Sequence, residues 1–204
     1  MRLEPLDVER HGSDLQAAQA GAPEIWMYLP DGPFADEAAF RDWLVARAAS
    51  SDPLFYAIID RASGRALGMA SYLRITPEHG VIEVGYIWYS PALQRTPAAT
   101  ETMYLMARHA FEDLGYRRYE WKCNALNEPS RRAALRLGFT YEGIFRQHMV
   151  VKDRNRDTAW YSMLDSEWPV AKAAFEAWLS PDNFDAEGRQ LRGLADFRDQ
   201  PHQH

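Results

Sequence analysis

VIEVGYIWYS (81–90), PALQRTPAAT (91–100) and the run from Glu101 to Gly115 read as a strand, a tight loop and a helix in immediate succession. RRYEWKCN (117–124) then reads as a second strand, and Asn127 to Gly138 as a short helix. A strand, a crossover helix and a second strand in that order predict a right-handed parallel unit. The helical pattern begins at Pro97, where a missing N–H is harmless, with Thr96 as its N-cap. Ala99, Met103, Met106, Ala107, Ala110, Phe111 and Leu114 make one apolar face, and Gly115 is placed to end the helix.

The flanking segments read as antiparallel. LFYAIID (54–60) and ALGMASYLRI (66–75) are strands joined by a turn, and FTYEGIFRQHMVV (139–151) and TAWYSMLD (158–165) form a second hairpin about the polar segment 152–157. Upstream lie a short strand at 2–6, a weak helix at 11–20, the loop 21–34, and a helix that Asp36 can cap, with Phe40, Trp43, Leu44 and Ala48 at helical spacing. Ser166 can cap a last helix at 167–179, and the final twenty or so residues are polar enough to be loosely held or to lie on a partner. The predicted class is α+β: a mixed, mostly antiparallel sheet with one parallel β-α-β crossover and helices on both faces.

Bulk composition narrows the function. The chain has 204 residues, 47% hydrophobic and 25% charged, which suits one domain with a full core. A net charge of −6 argues against nucleic acid as a partner. Cys123 is the only cysteine, so neither an intrachain disulfide nor a cysteine-based metal site can form, and no metal is called for. With no apolar leader and no run near 18 apolar residues, we read the chain as untargeted, soluble, cytoplasmic and free of membrane.

Two loop-to-helix junctions carry the chemistry. The helix start at Thr96 and Pro97 offers free N–H groups and the positive end of a dipole, and Arg95 adds a full charge; such a cradle can hold a diphosphate. Asn127 caps the second helix, with Ser130 and Arg131 in its first turns. If the two strands are parallel neighbours, both junctions lie at their carboxyl ends, where ligands tend to bind. Taken alone, each junction reads equally well as an ordinary capped helix.

Taken together, these residues resemble the GNAT superfamily of acyl-coenzyme A dependent N-acyltransferases, in particular the RimJ/RimL-like branch of ribosomal-protein N-terminal acetyltransferases. The resemblance covers roughly residues 1–165, which would form the acetyltransferase domain; 166–204 would be a C-terminal helix and polar tail packed on it or extending from it. The diphosphate loop of the family, Gln/Arg-x-x-Gly-x-Gly/Ala, stands here as Gln94-Arg95-Thr96-Pro97-Ala98-Ala99, with Pro97 in place of the central Gly and one backbone donor fewer. Asn127-x-x-Ser130 with Leu137-Gly138-Phe139, and Glu83-Val84-Gly85-Tyr86, match well.

The resemblance implies acetyl-CoA as co-substrate and no metal. The diphosphate would rest on residues 95–100, from Arg95, Thr96, Pro97, Ala98 and Ala99 to Thr100, with Gln94 beside them. The pantetheine arm would run along Trp88, Tyr89 and Ser90 and reach Asn127, Ser130 and Arg131. A backbone N–H near Trp88 would hold the developing oxyanion. The acceptor amine would attack the thioester directly, so Cys123 is not needed as a nucleophile. A Tyr that many members carry seven residues after the Asn is replaced by Ala134, and in this branch the Ser, here Ser130, would serve the departing sulfur. Glu83 is the first candidate for the base, ahead of His148, Glu120 and Glu142.

The acceptor site would be built from the 21–34 loop and the second hairpin, with Trp26, Tyr28, Tyr86, Trp88, Arg146, His148 and Tyr161 as candidate lining. An α-amino group has a pKa of about 8 and a lysine about 10.4, a gap worth ~3.4 kcal/mol of deprotonation at neutral pH. The missing obvious base therefore favours an α-amine or another low-pKa primary amine over a lysine. Three other readings stay open: a non-catalytic acyl-CoA-binding module of the same fold, an acetyltransferase of aminoacyl-nucleotide or antibiotic-like small molecules, and a small nucleotide-binding protein, which the sequence supports least because it lacks a P-loop lysine and a three-glycine fingerprint. The last helix and tail would suit a homodimer contact.

Overall fold

The computed structural model describes residues 1–198. Seven strands make one sheet in the order β1-β2-β3-β4-β5-β7-β6. In chain order these are β1 (Arg2–Pro5), β2 (Leu54–Ile59), β3 (Ala66–Thr76), β4 (Val81–Tyr89), β5 (Arg118–Asn124), β6 (Thr140–Val151) and β7 (Arg154–Leu164). Every pairing is antiparallel except β4 with β5. The helices are α1 (Val8–Gln19), α2 (Glu37–Ala48), α3 (Pro97–Arg108), α4 (Glu128–Leu137), α5 (Trp168–Leu179) and the short α6 (Leu194–Arg198). The sheet separates two apolar layers. One packs α3, α4 and α5 around Tyr119, Trp121, Met103, Phe111 and Phe175. The other gathers α1, α2 and the 21–34 loop around Trp26, Phe40, Phe55 and Trp88.

The parallel pair is short, and that positions the site. β4 and β5 are in register only from Val81 opposite Arg118 to Val84 opposite Trp121. β4 then bulges. The four residues from Gly85 to Trp88 stand opposite three of β3, from Ser71 to Met69, and Tyr86 takes a left-handed φ of 49°. An extra residue bends the strand and adds twist. β4 therefore leaves β5 while both strands continue, and a cleft opens between them.

Several segments differ from the sequence expectation. The α3 helix stops at Arg108 and continues as one wider turn, His109–Asp113, in which Leu114 N–H donates to the His109 carbonyl at 3.0 Å. The extra residue per turn rotates Leu114 off the apolar face and leaves it 48% exposed. The second hairpin is tighter than predicted: β7 begins at Arg154, and Lys152 and Asp153 form a two-residue turn with φ of 50° and 58°. The first helix starts at Val8, with the Asp7 carboxylate accepting from Arg10 N–H. Ser166 caps nothing; α5 begins after Glu167, whose carboxylate accepts from the Leu164 N–H.

The polar C-terminal segment, up to Arg198, is held rather than loose. Asn183 is buried and bonds the carbonyls of Trp178 and Arg192, and Leu194 enters the core. Arg198 donates to the carbonyls of Arg136 and Leu135, where α4 ends. Positions 199–204 of the predicted tail lie outside the described residues.

Candidate functional site

The cleft has two sides. On the α3 and α4 side, Thr96 caps α3 by accepting from Ala99 N–H at 3.3 Å, and its own hydroxyl donates to the Leu93 carbonyl at 2.7 Å. Pro97 follows, so Ala98 contributes the first free N–H of the helix. Arg95 sits in the left-handed region, φ 60°, and leaves its side chain in solvent beside that helix start. Gln94 is tied back to the Tyr89 carbonyl at 3.0 Å. The Ser90 hydroxyl is buried with no partner among the described residues, and so is the indole N–H of Trp88. Arg136, which sequence reasoning did not single out, reaches from α4 to the Thr100 hydroxyl at 3.0 Å and brings a second cation to the first turn of α3.

The second junction is built by caps. Asn127 accepts from Ser130 N–H at 3.2 Å, and the Ser130 hydroxyl accepts from the indole N–H of Trp121 at 3.0 Å. An oxygen that accepts from Trp121 keeps its own proton for donation. Cys123 lies within reach of that hydroxyl, and burial pushes its thiol up, which leaves it protonated and poorly nucleophilic. Arg131 donates from Nε to the Tyr161 hydroxyl at 3.2 Å and from a terminal nitrogen to the Ala125 carbonyl at 3.4 Å.

The opposite side is a chain of charges. Glu83 is 3% exposed, and its Oε2 meets Arg74 at 2.7 Å and Lys122 at 2.9 Å. Lys122 also meets Glu120 at 2.6 Å and lies 3.8 Å over the Trp160 ring. Arg118 links Glu120 at 2.7 Å to Glu142, which accepts from Ser162 as well. For Glu120, burial pushes the carboxyl up, and hydrogen bonds from Lys122 and Arg118 more than offset it, holding the group below its ordinary value. Arg118 lowers Glu142 in the same way. The other oxygen of Glu83, Oε1, has no partner among the described residues and faces Gly85; a Cβ at Gly85 would stand 3.6 Å from it.

The predicted acceptor residues divide. Tyr28 reaches over the cleft mouth to the Leu126 carbonyl at 3.1 Å, Tyr86 sits in the bulge, and His148 bonds Thr158 at 2.9 Å beside Phe145 and Trp160. Trp26 is fully buried beneath Phe34, Trp43 and Trp88, and presents only its carbonyl, to Lys152 at 2.7 Å. Tyr161 faces the other side of the sheet, under α4, because alternation along β7 turns odd positions there. Arg146 is exposed on the edge strand near Asp157. Sequence reasoning missed the even positions of β7, Arg156, Thr158 and Trp160; their alternation in RNRDTAWYSML was the available signal.

An acetyltransferase (GNAT) domain profile matches residues 1–140. A GCN5-related N-acetyltransferase from Brucella melitensis has a crystal structure that superposes with a TM-score of 0.95 at 53% identity, covering 98% of this chain and 91% of that one. A Bacillus subtilis (strain 168) protein, YdaF, provisionally named a ribosomal N-acetyltransferase, is 28% identical over 174 residues, 83% of this chain and 92% of its own. The ribosomal-protein-serine acetyltransferase of Escherichia coli (strain K12) is 29% identical over 102 residues, half of this chain and 56% of its own length. With its bulged β4, its capped helix starts and its splayed parallel pair, the chain belongs to the GNAT family of N-acetyltransferases.

Proposed function

We propose that this acetyltransferase moves an acetyl group from acetyl-CoA to a primary amine, either the α-amine of a protein N-terminus or that of a small molecule. One observation carries the reading: β4 parts from β5 after Val84, and the capped start of α3 and the Ser130 hydroxyl converge on the opening. Acetyl-CoA supplies the acetyl group as a thioester with a thiol leaving group. The residues present fit it, since the buried Ser90 hydroxyl and the Ala98 N–H at the start of α3 both lack protein partners among the described residues. Arg95 to Thr100 with Gln94 would hold its diphosphate, and Trp88, Tyr89, Ser90 and Asn127 its pantetheine arm.

Each protein group then has a task. A backbone N–H of β4 near Trp88, freed from β5, donates to the carbonyl oxygen as charge develops there. Ser130 holds a proton at Oγ for the departing sulfur, oriented by Trp121. Glu83 Oε1 accepts the proton that the amine gives up, directly or through one water, while Arg74 and Lys122 fix the other oxygen. An α-amine needs less of this help than a lysine, since its pKa lies about 2.5 units lower.

Calorimetric titration with acetyl-CoA tests the reading, with Asn127→Ala and Arg95→Ala beside the wild type. Micromolar binding weakened about tenfold in each variant, ~1.4 kcal/mol, is the expected result. Absence of binding to acetyl-CoA and to coenzyme A alike would mean that Pro97 has broken the cradle, and the chain would then be a fold relative without transfer.

A further inference from the structure

The acceptor side of the cleft contains one cation too many. Arg74, Arg118 and Lys122 are each paired with a carboxylate of Glu83, Glu120 or Glu142. Arg156 shares the field of Glu83, Tyr86 and Cys123 and pairs with none of these acids. It lies on β7 two residues before Thr158, on the same face as Trp160 and Lys122, and just beyond the end of β5. Its Nε is buried and has no hydrogen-bond partner among the described residues. No ion pair links it to Glu83, whose Oε2 is held by Arg74 and Lys122.

Arg156 as a whole is partly buried, and a buried guanidinium N–H without an acceptor is unfavourable and is kept where something else completes it. A guanidinium is completed best by an oxyanion, which accepts two parallel N–H bonds; a neutral carbonyl oxygen does so less well. We infer that Arg156 binds an anionic group of the acceptor, so that the preferred substrate is a primary amine carrying a carboxylate or a phosphate. This rests on the proposed acetyl transfer and adds the substrate class. The Tyr86 ring beside it, with the stacked Phe145 and Trp160 rings further along the same face of β7, gives an apolar wall for the carbon skeleton between amine and anion. Arg156 acts here as a specificity residue, and the chemistry at the amine stays with Glu83 and Ser130.

The test uses matched amines: glycine against glycine amide for a carboxylate, and O-phosphoethanolamine against ethanolamine for a phosphate. Turnover is read as kcat and KM for wild type, Arg156→Met and Arg156→Lys. The Arg156 Nε–H resonance is followed by NMR in coenzyme A-loaded protein as each amine is added. In the wild type, at least one anionic amine is favoured tenfold or more in kcat/KM over its neutral partner, and that amine shifts the Nε–H. The preference falls toward unity in Arg156→Met, chiefly through KM, and is partly kept in Arg156→Lys. Equal use of charged and neutral partners, or an unmoved resonance with every anionic amine, overturns the inference. So does an equal loss on both members of a pair in Arg156→Met, which would mark a structural role. A wild type that binds acetyl-CoA yet shows no preference sinks only this inference, whereas one that binds no acetyl-CoA sinks the transferase reading itself.

Discussion

The two sides of the β4–β5 cleft are made of different materials. The α3 and α4 side is built of backbone and caps: Thr96 on Ala99, Asn127 on Ser130, and a helix start with the Ala98 N–H open. The other side is built of charged side chains from four strands, Arg74, Glu83, Arg118, Glu120, Lys122 and Glu142, locked in a run of ion pairs. The first kind of surface presents a fixed pattern that suits an invariant ligand. The second can be retuned by one substitution, which suits a site that must choose among acceptors.

The largest effect expected comes from removing the shared cation. Lys122→Met leaves Glu83 and Glu120 buried side by side without it, since they are register partners across the parallel pair. Breaking a buried pair in this way costs about 3–5 kcal/mol. Urea unfolding of the variant measures it. A loss under about 1 kcal/mol would mean that the charged side is as tolerant as a surface, and the contrast between the two sides would collapse.

On the cap side the expected effects are smaller and fall on catalysis. Ser130→Ala should lower kcat about 100-fold, or ~2.7 kcal/mol of barrier, with KM for acetyl-CoA little changed. It also strands the Trp121 indole N–H, so stability drops by about 1 kcal/mol. An unchanged kcat would remove Ser130 from the path of the leaving sulfur. Thr96→Ala should cost about 1 kcal/mol of stability through the lost cap. It should also weaken acetyl-CoA binding, because the start of α3 frays. Unfolding curves and calorimetry on the one variant separate the two effects.

These sides also differed in how legible they were. Thr96, Pro97, Asn127 and Ser130 act within a few residues of their partners, so spacing along the chain announced both helix starts and the crossover between them. Glu83 stood out as a strand carboxylate, yet its clamp of Arg74 and Lys122 arises only when β3, β4 and β5 lie side by side. Trp121 on Ser130 and Arg136 on Thr100 are likewise contacts between elements that no local pattern encodes. The wider turn at His109–Asp113 escaped notice because an inserted residue leaves helical periodicity almost intact over one turn. Trp26 and Tyr161 enter the candidate acceptor site because an aromatic in a core and one in a pocket look alike in sequence; the face of the sheet separates Tyr161, and complete burial separates Trp26.

The smallest effect is expected from acid, and it sharpens the contrast. Glu120 and Glu142 are both held below their ordinary value of 4.5 in the folded protein, Glu142 chiefly by its hydrogen bond from Arg118. Below that value the unfolded chain takes up protons that the folded chain refuses, so the stability these groups contribute is complete above 4.5 and is lost as pH falls through their folded values. Arg118→Met should flatten this acid limb, because it removes the partner common to both carboxylates. Stability measured by urea unfolding between neutral pH and pH 3 in both proteins gives the comparison. Thr96→Ala should shift the whole curve without changing its slope, since no group on the cap side loses a partner that ionises. Parallel acid limbs in wild type and Arg118→Met would show that the ion-pair run contributes no more to folding than exposed pairs do.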